Sequence, residues 1–106
     1  MHSEIADRRE AIAELCRRFG VARLEVFGSA ARGEDFDPAQ SDADFLVTFD
    51  RHEDTGWMGQ YFDFQAALKA LLGRPVDLIE RRAIETSRNY IRARAILAEA
   101  QPVYAA

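Results

Sequence analysis

The sequence is poor in the residues that cross-link chains or bind soft metals. Cysteine occurs once, at Cys16, and histidine twice, at His2 and His52. A lone cysteine excludes an internal disulfide framework and any Cys-rich zinc site, and the isolated histidines form no H-E-x-x-H pair. Long hydrophobic runs are missing as well. No apolar stretch approaches the roughly 18 residues of a membrane span, and Met1-His2-Ser3-Glu4 opens into charged sequence rather than a secretory signal. The expectation is a cytoplasmic chain without a membrane anchor. Repeats, low-complexity blocks and linker-like stretches are absent too, so residues 1–106 read as one domain. Positive charge is the last deficit. Against 18 acidic residues stand 14 basic ones, a net charge of −4, which disfavours direct binding to nucleic-acid backbones.

What is present is 48% hydrophobic and 30% charged, the composition of a folded globular chain. Lys69 is the only lysine; the other basic residues are arginines, a preference that codon usage explains as readily as function. Six of them fall between Arg74 and Arg94 against Asp77, Glu80 and Glu85, a local positive excess that reads first as a solvated helix face.

Periodicity gives the elements. Ser3 can cap a first helix whose stripe of Ile5, Ile12, Leu15, Cys16 and Phe19 ends at Gly20. Val21 to Phe27 alternates like a strand, and Gly28-Ser29 turns it into a short helical segment through Ala30, Ala31 and Arg32. A polar loop from Gly33 to Ser41 leads to a second strand, Asp44 to Phe49. Asp54 or Thr55 can cap a helix carrying Trp57, Met58, Tyr61, Phe64, Leu68, Leu71 and Leu72, stopped by Gly73. A third strand, Val76 to Ile79, precedes a last helix from about Arg88 to Glu99, with Ile91, Ala95 and Leu97 near one face. Pro102-Val103-Tyr104 reads as a tail packed on the body. The expected fold is α/β (α+β), a small mixed sheet backed by helices.

The chemistry concentrates in Gly28-Ser29-Ala30-Ala31-Arg32-Gly33 and in Asp42-Ala43-Asp44. Alternate strand residues share a face, so Asp42 and Asp44 project together, and two carboxylates that close repel unless a cation lies between them. Hard oxygen donors of this kind suit Mg²⁺, which takes one or two protein carboxylates plus substrate phosphates. Asp77 sits between apolar Val76 and Leu78 and joins the pair if the third strand neighbours the second. Gly28 lets a phosphate approach the backbone, at a helix start whose N–H groups face outward, and Ser29 adds a hydroxyl donor. Rival motifs fail. Gly28 and Gly33 have P-loop spacing, but Glu34-Asp35 follows where Lys-Ser/Thr is needed. Asp35-Phe36-Asp37 begins like a calcium loop, but Ala39 and Gln40 break it. Ser29 has no G-x-S-x-G elbow.

These residues resemble the DNA-polymerase-β-like nucleotidyltransferase superfamily. More narrowly, Gly28-Ser29-Ala30-Ala31-Arg32-Gly33, Ser41-Asp42-Ala43-Asp44-Phe45-Leu46-Val47 and Gly73-Arg74-Pro75-Val76-Asp77-Leu78 are similar to the minimal nucleotidyltransferase (MNT, MntA-like) antitoxins, over nearly the whole chain. The resemblance implies the minimal nucleotidyltransferase fold, ATP as substrate and two Mg²⁺ ions held by Asp42, Asp44 and Asp77. Asp77 would also help activate the attacking hydroxyl. Gly28 and Ser29 would hold the β- and γ-phosphates, with Arg32 and Ser41 as further nucleotide-binding residues. It implies transfer of AMP to a tyrosine of a cognate HEPN ribonuclease toxin, within a hetero-oligomer. Two alternatives stand beside it: an antitoxin acting by contact alone, and transfer to a small molecule.

Overall fold

The structure is a computed structural model describing residues 3–28, 31, 42–50 and 57–106, with only the backbone described at Glu4, Trp57 and Met58. Its elements are α1 (Ser3–Ala6), α2 (Arg9–Arg18), β1 (Val21–Phe27), β2 (Ala43–Phe49), α3 (Trp57–Leu72), β3 (Val76–Glu80), α4 (Arg81–Glu85), α5 (Tyr90–Glu99) and β4 (Gln101–Ala105). The strands form one mixed sheet in the order β3-β2-β1-β4. β1 runs antiparallel to both β2 and β4, whereas β2 and β3 are parallel. The parallel pair is possible because α3 supplies the long crossover such a connection requires.

Alternation along each strand divides the sheet into two faces. One face carries Leu24, Val26, Phe45, Val47 and Leu78, packed against Ile5, Ile12 and Cys16 on one side and Phe64, Leu68 and Leu72 of α3 on the other. The expected aromatic stripe of α3 is therefore core. Phe64 packs near Phe19 and meets Phe49 edge-on with ring centroids 6.3 Å apart. Gly20, at φ +69°, ends the α2 segment and lets Gln60 of α3 donate to the Phe19 carbonyl. The opposite face holds a smaller cluster of Phe27, Leu46 and Ile96, flanked by Ile79, Ile84 and Leu97.

Four sequence expectations are corrected. The first helix is not continuous: Arg8 N–H donates to the Ile5 carbonyl, a tightened turn that separates α1 from α2. The presumed tail is a strand. Residues 101–105 pair with β1, and Arg9 of α2 fastens them by donating to the carbonyls of Pro102 and Val103, at 3.0 and 3.3 Å. A five-residue helix, α4, follows β3 directly. Finally, α5 buries Ala93 and Ile96, with Leu97 partly covered, while Ile91 and Ala95 face solvent. The sequence periodicity was ambiguous there because both sides of α5 are apolar. The helical segment at 30–32, apart from Ala31, the loop of Gly33 to Ser41 and the caps at Asp54 and Thr55 lie outside the described residues.

Candidate active site

Asp44, Asp77 and Gly28 come together at one end of the sheet. In register, Phe27 of β1 lies opposite Asp44 of β2, and Asp44 lies beside Asp77 of β3. Partnered residues on adjacent strands point to the same side, so the two carboxylates share the face that carries Phe27 and Leu46. Strands are spaced about 4.8 Å apart, which sets the lateral scale of the pair. Asp44 is half-buried and Asp77 exposed, so the row opens toward solvent at its β3 end. Asp42, also exposed, lies two residues before Asp44 and just ahead of the strand. Among the described residues, no three acidic, histidine or cysteine side chains already form a closed metal cluster.

Gly28 terminates β1 at φ +71°, a left-handed conformation that a side chain would strain. A Cβ here would also lie 2.6 Å from Oδ2 of Asp44, inside contact distance. The carboxylate thus occupies the space that glycine leaves open, and strand end and carboxylate are fitted to one another. Beyond it, the Ala31 N–H donates to the Gly28 carbonyl at 3.1 Å, and Gln101 of β4 donates to the Ala31 carbonyl at 3.3 Å. Those bonds tie Ala31 to the end of β1 and to β4. Ser29, Arg32 and Ser41 lie outside the described residues.

The donor set fits a hard divalent cation. Two carboxylates in register, with a third at the strand entrance, offer oxygen ligands and no soft ones, the chemistry Mg²⁺ prefers. Glycine keeps the neighbouring strand end bare of a side chain of its own, with the Asp44 carboxylate set against it.

One feature of this face escaped the sequence reading. Glu25, one row below Asp44, is the only charged side chain classed as buried among the described residues. Arg81, at the start of α4, donates to its Oε1 at 2.5 Å, and Arg23 approaches at 3.4 Å. The hydrogen bond to Glu25 raises the Arg81 pKa further, so the guanidinium stays charged. The pair links β1 to the end of β3 across β2. Its signal was a glutamate between apolar Leu24 and Val26, the same pattern that singled out Asp77. On the reverse face, Tyr61 of α3 donates to the Leu78 carbonyl. Burial, then the charges of Asp77 and Glu80, push the Tyr61 hydroxyl above its usual pKa, so it remains a donor.

The chain and its fold have known relatives. Residues 8–98 match the profile of the nucleotidyltransferase domain family. A protein adenylyltransferase MntA from Thermococcus cleftensis is 38% identical over 73 residues, 69% of each chain. A solved minimal nucleotidyltransferase superposes with a TM-score of 0.71 at 35% identity, covering 96% of both chains. The fold also matches, with a TM-score of 0.62 at 16% identity, a chain from the complex of a tri-AMPylated Shewanella oneidensis HEPN toxin with an MNT antitoxin. That match covers 96% of this chain and 73% of the other.

Proposed function

Because the chain belongs to the nucleotidyltransferase domain family, as a minimal, MntA-like member, we propose that it transfers AMP from ATP to a tyrosine hydroxyl of a cognate HEPN-type toxin and silences the toxin by that mark. The observation that carries this reading is the row of Gly28, Asp44 and Asp77. It places a side-chain-free strand end against two registered carboxylates, as a triphosphate and its counter-ion require.

In the transfer, the acceptor oxygen attacks the α-phosphorus of ATP in line with the bond to the β-phosphate. That bond breaks and pyrophosphate leaves with its electron pair. Gly28 and Ser29 hold the β- and γ-phosphates through backbone N–H groups and the serine hydroxyl, with Arg32 and Ser41 completing the nucleotide contacts. Asp77, the exposed carboxylate, receives the proton of the acceptor hydroxyl and passes it to water. Asp44, held against Gly28, fixes the register between phosphates and carboxylates. Asp42, Asp44 and Asp77 would hold Mg²⁺, which when bound offsets the negative charge gathered on the triphosphate.

The test is a lasting mark. This chain is incubated with ATP, Mg²⁺ and the cognate HEPN protein, and the toxin is then separated and weighed by mass spectrometry. AMP increments, together with inactivity that persists after separation, are expected. An unchanged mass with inhibition only while the proteins are bound would instead establish a contact inhibitor.

A further inference from the structure

Helix α5 is apolar on two opposite sides, and only one of them is used. Ala93 and Ile96 are buried against the sheet, and Leu97 is partly covered. At 100° per residue, Ile91 lies on the far side of the helix, in line with exposed Ala95 and Ala98. Ile91 is 86% exposed and its neighbour Tyr90 75%. A helix with apolar residues all round is one whose outer face expects a cover. Nor is this first turn frayed. The Arg92 N–H donates to Oδ1 of Asn89 at 3.1 Å and the Asn89 N–H to Oγ of Ser87 at 3.1 Å, so Ile91 is presented on a capped, ordered turn.

Charge identifies the cover. Arg88, Arg92 and Arg94 lie within three residues of Ile91 in sequence, all exposed, and residues 86–98 contain no acidic side chain. The chain as a whole carries −4, so its remainder is more negative still, and this run of exposed arginines without acidic neighbours favours an acidic protein. We propose that the outer face of α5 is the docking surface for the protein that receives AMP. That partner would present an apolar pocket for Ile91 and Tyr90 rimmed by aspartates and glutamates. The proposal rests on the function given above and adds the surface and the partner's chemistry. An interface of ordinary size covers about 800 Å² per partner, and α5 packs on the face of the sheet that carries the carboxylate row.

The experiment compares wild type with Ile91→Asp and with the pair Arg92→Glu and Arg94→Glu, using the purified cognate HEPN protein as probe. Calorimetry reads its affinity, a parallel titration reads ATP affinity, and thermal unfolding checks the fold. Burial of an isoleucine corresponds to a weakening of about 10- to 100-fold in Kd. That loss is expected for Ile91→Asp, with ATP affinity and thermal midpoint unchanged. The arginine reversals should weaken binding and flatten its salt dependence. Wild-type binding with an unaltered Ile91→Asp affinity overturns this inference alone. Failure of wild type to bind overturns the functional reading as well. Self-association or RNA binding that is lost on Ile91→Asp, with toxin affinity retained, assigns the face to another occupant and also overturns it.

Discussion

Replacing Gly28 by alanine tests the fit between the end of β1 and the carboxylate of Asp44. Two penalties combine. Holding a non-glycine residue at φ +71° costs about 1–2 kcal/mol. The new methyl also meets Oδ2 at 2.6 Å, whereas the Asp44 Cγ and Cβ stand at 3.6 and 3.7 Å, so the carboxylate group is what must turn away. An off-rotamer side chain adds about 0.5–1.5 kcal/mol. Together the loss is about 2–3 kcal/mol, a fall of roughly 10 °C or more in thermal midpoint for a chain of this size. The two penalties separate in a double-mutant cycle with Asp44→Ala, because shortening the carboxylate removes the collision and leaves the backbone strain. Urea unfolding of the four proteins should give a coupling of about 1 kcal/mol. Additivity within about 0.3–0.5 kcal/mol would refute the claim that Asp44 fills the space glycine leaves. In the transfer assay Gly28→Ala should lose activity well beyond its loss of folded protein at 20 °C, since it moves a carboxylate and blocks the phosphate approach together.

Further outcomes follow from other groups. Asp44→Asn and Asp77→Asn should each abolish AMP transfer while leaving the chain folded, and relief of like-charge repulsion should stabilise it by a few tenths to about 1 kcal/mol; normal transfer by either variant would sink the assignment. Arg81→Met should destabilise by about 2 kcal/mol, less than for a fully buried pair because the arginine side chain is 28% exposed, and adding Glu25→Gln should restore much of it. Both are read by urea titration, and a loss below about 0.5 kcal/mol would make the pair ornamental. Burial raises the Cys16 thiol from 9.0 to about 12. Between those values the unfolded chain sheds a proton that the folded chain keeps. Stability should therefore fall as pH rises from 9, by up to about 1.4 kcal/mol per pH unit, and Cys16→Ala should flatten that part of the profile.

The parts legible in the sequence were those with local signals. β1 occupies Val21–Phe27 as alternation predicted, because glycines at 20 and 28 punctuate both ends. Strand alternation puts Asp44 and Asp77 on one face when β2 and β3 are neighbours, and the two strands pair in parallel with Asp44 beside Asp77. What the sequence hid depends on distant partners. Residues 101–105 contain Pro102 and too few alternating positions to announce a strand; only pairing with β1 makes them one. Glu25 sits between apolar Leu24 and Val26, but the arginine that neutralises it lies 56 positions on. Periodicity cannot choose which of its two apolar sides α5 buries.

The place of β4 in the sheet bears on the order in which the chain can assemble. β1 is an inner strand, yet one of its neighbours, β2, begins 16 residues after β1 ends while the other, β4, begins 74 residues after it. Pairings that join sequence-distant segments close large loops and slow folding, so β1 and β2 can zip well before β4 docks. Until it does, Val21–Phe27 is an open edge: seven residues, five of them buried in the finished sheet, with a row of unsatisfied N–H and C=O groups. Such an edge recruits strands from other chains, and the closing strand is what denies them that template. Hydrogen exchange during refolding should find the amides of β1 that face β4 protected last, and a chain lacking residues 101–105 should aggregate rather than merely lose stability.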